Sequence, residues 1–499
     1  MIPLTLKEVA AACGGRLVNG DPGIVVSRVS TDSRSLQPGD LFIGLQGEHF
    51  DGDAFAAEAL RSGAAAVVVR EETAAGLSKR AATIIVESGL AALSKLAAET
   101  RRRSRARVVA ITGSIGKTST KDTLAALLRP VARTVATKEN FNNEVGVPLT
   151  VLSLDEETEV VVVELAMRGV GQIADLAALV RPDVGVITNV APVHLELVGT
   201  IERVARVKAE LLSMMTGGTA VVPVNEPLLQ PYVRRFGGRV VTFGDETADV
   251  FVVEAEQRGD TTVALIDAFG RRARFTFNFS GSHYLQDATT ALAAFVALGY
   301  RLEEAKVGAA QVEFSRWRGE VSDLPGGGLL LNDAYNASPL SMRAALDHLT
   351  SLADGRPMVA ILGDMYELGP SAADFHHSVG AYAAQRDVRV LAVGELARNY
   401  LTGGSDERWF ATVDDCLAAL PGAVAPGSAV LVKASRAVRL ERVAEALRKL
   451  ADAPARLSAE AAPAPGESAS DRARTVSQAF LAKQARRTQR RKNVHDKDA

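Results

Sequence analysis

One short run limits most sharply what this chain can fold into. The apolar stretch Val108-Val109-Ala110-Ile111 is followed by Thr112-Gly113-Ser114-Ile115-Gly116-Lys117-Thr118-Ser119 and then by a helix-like segment to Leu128. An unbroken apolar run suits a strand of a parallel sheet covered on both faces. Strand, glycine turn and helix in direct succession aim backbone N–H groups and a helix N-terminus at one point, where a polyphosphate can sit. Lys117 would neutralise phosphate charge there, and the Thr118 hydroxyl would ligate Mg2+. The spacing departs from G-x-x-x-x-G-K-[ST], because Ile111 stands at the first glycine position and Gly113 supplies the flexibility instead. For this run alone, an incidental Gly-Lys-Thr turn is the competing reading.

Two further pieces weigh against that turn. Glu164 ends the run Val160 to Val163, and Asn189 to His194 follow the run Val184 to Ile187. The carboxyl ends of parallel strands are where such sheets place ligands. An isolated Glu or His is more often a packing or surface residue. A carboxylate, an imidazole and a Thr hydroxyl at three sheet edges together suit a divalent cation, Mg2+ or Mn2+ rather than zinc, since oxygen donors dominate.

At 499 residues the chain exceeds one ordinary domain of roughly 100–200 residues. Short strands near residues 24–26, 40–45 and 64–69, with a helix-prone stretch from Phe55 to Arg61, give a small α/β domain over 1–88. Leu90 to Arg103 reads as a helical connector. The βα rhythm around the glycine loop spans 89–313. A third βα region, 314–452, has candidate strands at 329–331, 358–362, 388–393 and 429–432, with helices at Ser341 to Ser351 and Glu441 to Leu450. Residues 453–470 are dominated by Ala, Pro, Ser and Glu, the composition of a disordered linker. Residues 471–499 carry nine Lys/Arg against three Asp. Such a tail can touch nucleic acid or anionic lipid, or simply be a solvated extension. The formal net charge of −2 argues against polyanion binding by the molecule as a whole, so no nucleic acid is required. Two distant cysteines, Cys13 and Cys416, exclude a disulfide framework. With no leader-like N-terminus and no apolar run of about 18 residues, a cytoplasmic protein without a membrane span is expected.

Several blocks, in order, resemble the Mur ligase family of cytoplasmic peptidoglycan-precursor enzymes. Ser30-Thr31-Asp32-Ser33-Arg34 with Pro38-Gly39-Asp40-Leu41-Phe42 is similar to that family's UDP-sugar-binding domain, and Thr112 to Thr118 to its own form of the phosphate loop. Asn140 to Pro148, Asn332 to Pro339, Gly363 to Gly369 and Val432-Lys433-Ala434-Ser435-Arg436 resemble the members that add D-alanyl-D-alanine. No Asp-Asn-Pro-Arg, the usual mark of the diamino-acid-adding members, occurs. The resemblance implies an N-terminal α/β UDP-sugar-binding domain, a central parallel-sheet ATPase domain and a C-terminal Rossmann-like α/β domain. It also implies a monomer acting on UDP-N-acetylmuramoyl-tripeptide and D-Ala-D-Ala with ATP and two Mg2+ ions.

The roles it implies fall on individual residues. Gly113, Ser114, Ile115, Gly116, Lys117, Thr118 and Ser119 hold the phosphates. Thr118, Glu164, His194 and Lys208 are metal ligands, Lys208 as a CO2-derived carbamate. Without the family, Lys208 reads as a plain surface lysine. Arg318 reaches the γ-phosphate, Asp333 the ribose, and His283 lies near the adenine. Ser33, Arg34, Asn142, Asn143 and Asn336 contact substrate, although Asn is also a common turn residue. The chain departs from the family pattern at Tyr284 and Asp287, where asparagines are usual, at Trp317, where a glycine often precedes the arginine, and at Leu165 to Arg168. Other Mur-type ligases, adding a diamino acid or glutamate, and a P-loop regulator without ligase activity are the alternatives.

Overall fold

The structure, a computed structural model, describes residues 1–47 and 50–449. The expected linker and basic tail, 453–499, lie outside the described residues. So does Leu450, while residues 441–449 of that expected helix are helical.

The first sheet orders its strands β1-β5-β4-β3-β2, where β1 is Arg16–Val18, β2 Val29–Ser30, β3 Leu41–Ile43, β4 Ala66–Val69 and β5 Thr83–Ile85. All pairings are parallel except β1 with β5. The stretch expected to be helical from Phe55 to Arg61 is a helix over Ala56–Arg61, entered through a 3-10 turn, Gly52–Phe55, capped by Asp51. The connector is helix α1, Gly89–Arg103, started by a Ser88 cap. Its Ala92, Leu93, Leu96 and Ala97 are fully covered, and Arg101 bonds the carbonyl of Val180 at 2.7 Å, tying it to the central domain.

The central sheet has nine strands in the order β14-β13-β12-β11-β10-β9-β6-β8-β7. They are β6 Arg107–Thr112, β7 Thr134–Ala136, β8 Val160–Glu164, β9 Val184–Ile187, β10 Thr219–Pro223, β11 Arg239–Gly244, β12 Val250–Arg258, β13 Thr261–Ala268 and β14 Arg271–Phe277. Strands β6 to β11 are parallel, and β12 to β14 form an antiparallel extension. The sequence reading found only β6, β8 and β9 here. Those three are continuous apolar runs, whereas β14 (Arg-Arg-Ala-Arg-Phe-Thr-Phe) alternates exposed and buried residues, the mark of a sheet with one wet face. The chain leaves β6 for β7, returns to β8, then crosses to β9 on the other flank of β6. That reversal opens a crevice at the carboxyl end of β6.

Helix α2, Lys117–Leu128, rises from that crevice and packs on α4, Ser282–Ala297, through Leu124, Ala288, Ala291 and Phe295. Leu124→Ala would open a cavity in this contact at about 2–5 kcal/mol. Helix α3, Ile201–Ser213, covers the opposite face. The last sheet has the order β15-β16-β20-β17-β18-β19, with β15 Glu320–Leu324, β16 Gly328–Asn332, β17 Met358–Gly363, β18 Arg389–Val393, β19 Arg408–Phe410 and β20 Ala429–Lys433. All but β15 run parallel. Helix α5, Pro339–Ala353, begins with a Ser338 cap and Pro339 in its first turn, where a missing N–H costs nothing. No helix among the described residues is long and apolar enough to cross a membrane.

Candidate active site

The phosphate loop has the backbone its sequence requires. Ile111 stays inside β6, fully buried, so no glycine is needed there. Gly113 takes φ +146°, and a methyl group on it would stand 1.9 Å from the Thr188 hydroxyl, which explains the shifted glycine. Thr188 donates to the carbonyl of Ile115 at 2.6 Å. Asn189 takes the N–H groups of Ser114 and Ile115 through its carbonyl and side-chain oxygens, at 3.1 and 3.0 Å. Ser114 and Ile115 therefore shape the loop with their own amides already engaged. Gly116, at φ +77°, caps α2 with no side-chain acceptor on the first-turn amides, which leaves a helix N-terminus open to an anion. Lys117 turns back onto the carbonyls of Gly113 and Ser114, at 2.9 and 3.1 Å. Burial lowers its pKa.

Beside the loop, Glu164 sits at the end of β8, in register with Ile111 of β6. It accepts from the Thr118 hydroxyl at 2.8 Å and from the Asn142 amide at 2.7 Å. The expected oxygen donors thus converge. Their chemistry fits Mg2+, a hard cation that takes few protein ligands and completes its shell with phosphate and water oxygens. Among the described residues no three His, Cys, Asp or Glu side chains gather as a metal cluster. His194 has its Nδ1 paired with Glu367, from the segment after β17. Thr118, Glu164 and His194 line one cleft, with Asn142 bonded to Glu164 and the imidazole held through Nδ1 by a carboxylate of the last domain.

Lys208, on α3, is about 1% exposed and so is no surface lysine. Burial first, and then Lys117, push its pKa well down, against the opposing pull of Glu164 and Glu210. The ordinary ammonium form is therefore disfavoured.

A cleft of about 1010 Å³ runs from the loop to the last sheet. Ser114 to Ser119, Asn142, Asn143, Glu164 and His194 line one wall, and Arg318, Asp333 and Asn336 the other. Lys208 is not among the lining residues; the charges that act on it are those of Lys117, Glu164 and Glu210. Arg318 lies over the Tyr335 ring at 4.0 Å, and its buried Nε has no partner. Trp317 before it adopts φ +60°, the left-handed region that a glycine takes freely, and Arg436 lies over its indole at 4.3 Å. Asp333 is paired with Lys433. Asn143 spends its side-chain oxygen on the turn, accepting from Val145 and Gly146.

His283 lines the cleft beside Tyr284, with ring centroids 4.0 Å apart. Burial, helped by His348 and Lys433, lowers its pKa to about 3, so it is a neutral ring. Ser33 and Arg34 do not join this cleft. They form an exposed turn capped by Asp32, which pairs with Arg34 at 2.7 Å. Sequence reasoning assigned no role to Tyr335, Glu367 or Lys433. The last two lay inside blocks that had been matched only as wholes.

Family models match three stretches: "Mur ligase family, catalytic domain" over 25–101, "Mur ligase middle domain" over 111–295, and "Mur ligase, glutamate ligase domain" over 317–436. The chain belongs to the Mur ligase family. It is 34% identical to the UDP-N-acetylmuramoyl-tripeptide--D-alanyl-D-alanine ligase of Bacillus subtilis, over 90% of this chain and 99% of that one. Among solved structures it superposes on MurF from Acinetobacter baumannii with TM-score 0.82 at 30% identity, covering 89% of this chain and 99% of that one. It also matches the MurF ligase of Thermotoga maritima in complex with ADP, with TM-score 0.76 at 30% identity, over 86% and 99%.

Proposed function

We propose that this chain joins the terminal carboxylate of UDP-N-acetylmuramoyl-tripeptide to the amine of D-Ala-D-Ala, converting ATP to ADP and phosphate, in cytoplasmic peptidoglycan-precursor synthesis. The observation that carries it is the single cleft, with an uncapped helix N-terminus and phosphate loop on one wall and Arg318, Asp333 and Asn336 on the other. A loop alone binds a nucleotide, whereas two facing walls can hold a nucleotide and an acceptor together.

A free carboxylate is a poor electrophile. One of its oxygens attacks the γ-phosphorus, the bond from that phosphorus to the β,γ-bridging oxygen breaks, and ADP departs. The neutral amine then attacks the acyl-phosphate carbonyl. The tetrahedral carbon expels phosphate, and the nitrogen gives up a proton. The protein's part is positioning and charge stabilisation. The open amides of α2 and Lys117 receive the β- and γ-phosphates once Lys117 leaves its loop carbonyls. Arg318, which lines the cleft from the opposite wall, steadies the moving phosphoryl. Asp333 takes the ribose, and Asn142 and Asn336 orient substrate. Ser33 and Arg34 bind the UDP end.

Thr118 and Glu164 would hold Mg2+, with His194 as a further ligand, and the bound ion would neutralise phosphoryl charge. The unprotonated amine of Lys208 would add CO2 to give a carbamate, releasing one proton, and that carboxylate-like group would hold a second ion. The domains close around both substrates during the cycle.

A phosphate-release assay with the UDP-tripeptide and D-Ala-D-Ala, meso-diaminopimelate or glutamate as acceptor tests the reading. Release is expected with D-Ala-D-Ala. None with that acceptor ends the proposal.

A further inference from the structure

The stretch of chain that brings Arg318 to the cleft is fastened at its start to the phosphate-loop helix. Asp122 lies little more than one turn past Lys117 on α2. One oxygen of its carboxylate accepts from both the backbone N–H and the hydroxyl of Ser315, at 2.9 and 2.8 Å. The other oxygen pairs with the buried ammonium of Lys121 at 2.7 Å. Lys121 in turn donates to the carbonyl of Thr137, just past β7, at 2.8 Å. The carboxylate is therefore tied to the central sheet as well as to Ser315. Beside it, Phe314 stacks on Tyr284 of α4 with ring centroids 4.5 Å apart.

Two residues further on, the chain is bonded to the last domain instead. The N–H of Trp317 donates to Glu320 of β15 at 2.7 Å, and its carbonyl accepts from the N–H of Tyr335, past β16, at 3.2 Å. Arg318 lies over the Tyr335 ring. Arg316 alone separates the two sets of bonds along the chain. Three residues span at most about 10–11 Å, so the anchor at Ser315 limits where Arg318 can stand relative to α2. One helix thus shapes the phosphate loop at its first turn and holds the arginine's tether at its second. That matters because a misplacement of about 1 Å in a phosphoryl-transfer site can lower turnover about a hundredfold.

We propose that Asp122 is a positioning residue for Arg318: it fixes Ser315 to the phosphate-loop helix and so sets the point from which the guanidinium reaches the transferred phosphoryl. The proposal rests on reading Arg318 as the group that steadies that phosphoryl. A double-mutant cycle on the full chain tests it, with kcat read from phosphate release at saturating ATP, UDP-tripeptide and D-Ala-D-Ala. D122A is expected to lower kcat about tenfold, while ADP affinity by titration calorimetry stays within about twofold of the parent. In the R318A background D122A should lower kcat by less than about twofold more, because no guanidinium is left to position. S315A keeps the backbone N–H and loses one bond of the two. It should lower kcat about threefold in the parent and leave R318A unchanged, and this milder change decides the matter should D122A not fold. Losses that multiply with that of R318A, an ADP affinity that falls as far as kcat, or parent turnover in D122A and S315A would each overturn the proposal. R318A turning over like the parent would instead bring down the reading of the arginine itself, which separates the two failures.

Discussion

At the phosphate loop, Glu164 and Lys208 are each about 1% exposed. At the turn Asp32-Ser33-Arg34 the arginine side chain is 87% exposed and merely paired to its neighbour. An exposed pair of that kind contributes little to stability, because water already solvates both partners. Burying an ionisable group costs free energy unless charge or hydrogen bonding compensates. Glu164 is compensated by Thr118 and Asn142. Lys208 shows no such bond among the described residues and is held away from its charged form. The fold therefore carries buried ionisable groups at the phosphate loop and none at the Asp32-Ser33-Arg34 turn. Changes at the loop should remove activity and spare stability, while changes at the turn should do little to either.

The largest effect is expected from Lys208→Ala, which should lower turnover by about three decades, the loss of more than one charge contact in a preorganised site. High chloride should restore part of it by occupying the vacated anionic position. Unchanged turnover would remove Lys208 from the site. Arg318→Ala should cost about two decades in kcat, on the order of 3 kcal/mol, with little change in ADP affinity. A rise in KM alone would make it a binding residue only.

A smaller effect concerns stability. The folded state holds Lys208 below its unfolded pKa, so the unfolded chain binds the extra proton. Stability should then rise with pH from the folded pKa toward the ordinary lysine value of 10.5. In CO2-free buffer, urea unfolding between pH 7 and 9 should show a slope up to about 1.4 kcal/mol per pH unit that Lys208→Met flattens. Equal slopes would mean the ammonium stays charged when buried. The least change is expected from Arg34→Ala: a few-fold higher KM for the UDP-linked substrate at unchanged kcat, with stability within about 0.5 kcal/mol. A two-decade loss there would erase the contrast between the two regions.

The contrast also marks what could be read before the fold was known. Strands β6, β8 and β9 announced themselves as unbroken apolar runs, and Lys117, Thr118 and Glu164 followed from their position at the strand ends. Strands β12 to β14 did not, because β13 and β14 alternate between covered and wetter positions and most of β12 is exposed. Among the described residues, the partners that set the state of the site come from far along the chain. Glu367 reaches His194 across 173 residues, and Lys433 reaches Asp333 across 100. No local spacing encodes such pairs. Trp317 was legible only as an anomaly, and its left-handed backbone explains why a glycine also suits that position.

The antiparallel extension of the central sheet bears on the protein's behaviour in a crowded solution. A sheet of nine strands ends in β14, and an edge strand carries backbone groups that a second molecule can pair with. Arg272 and Arg274 share the wet face of β14 and are tied to Asp267 and Glu254 on the strands behind it, while Arg271 is exposed at the start of the strand. Arg272 and Arg274, each with its carboxylate partner, line this edge with charge, which disfavours strand-to-strand stacking. The same residues that hid this strand from a search for apolar runs protect the enzyme against aggregation.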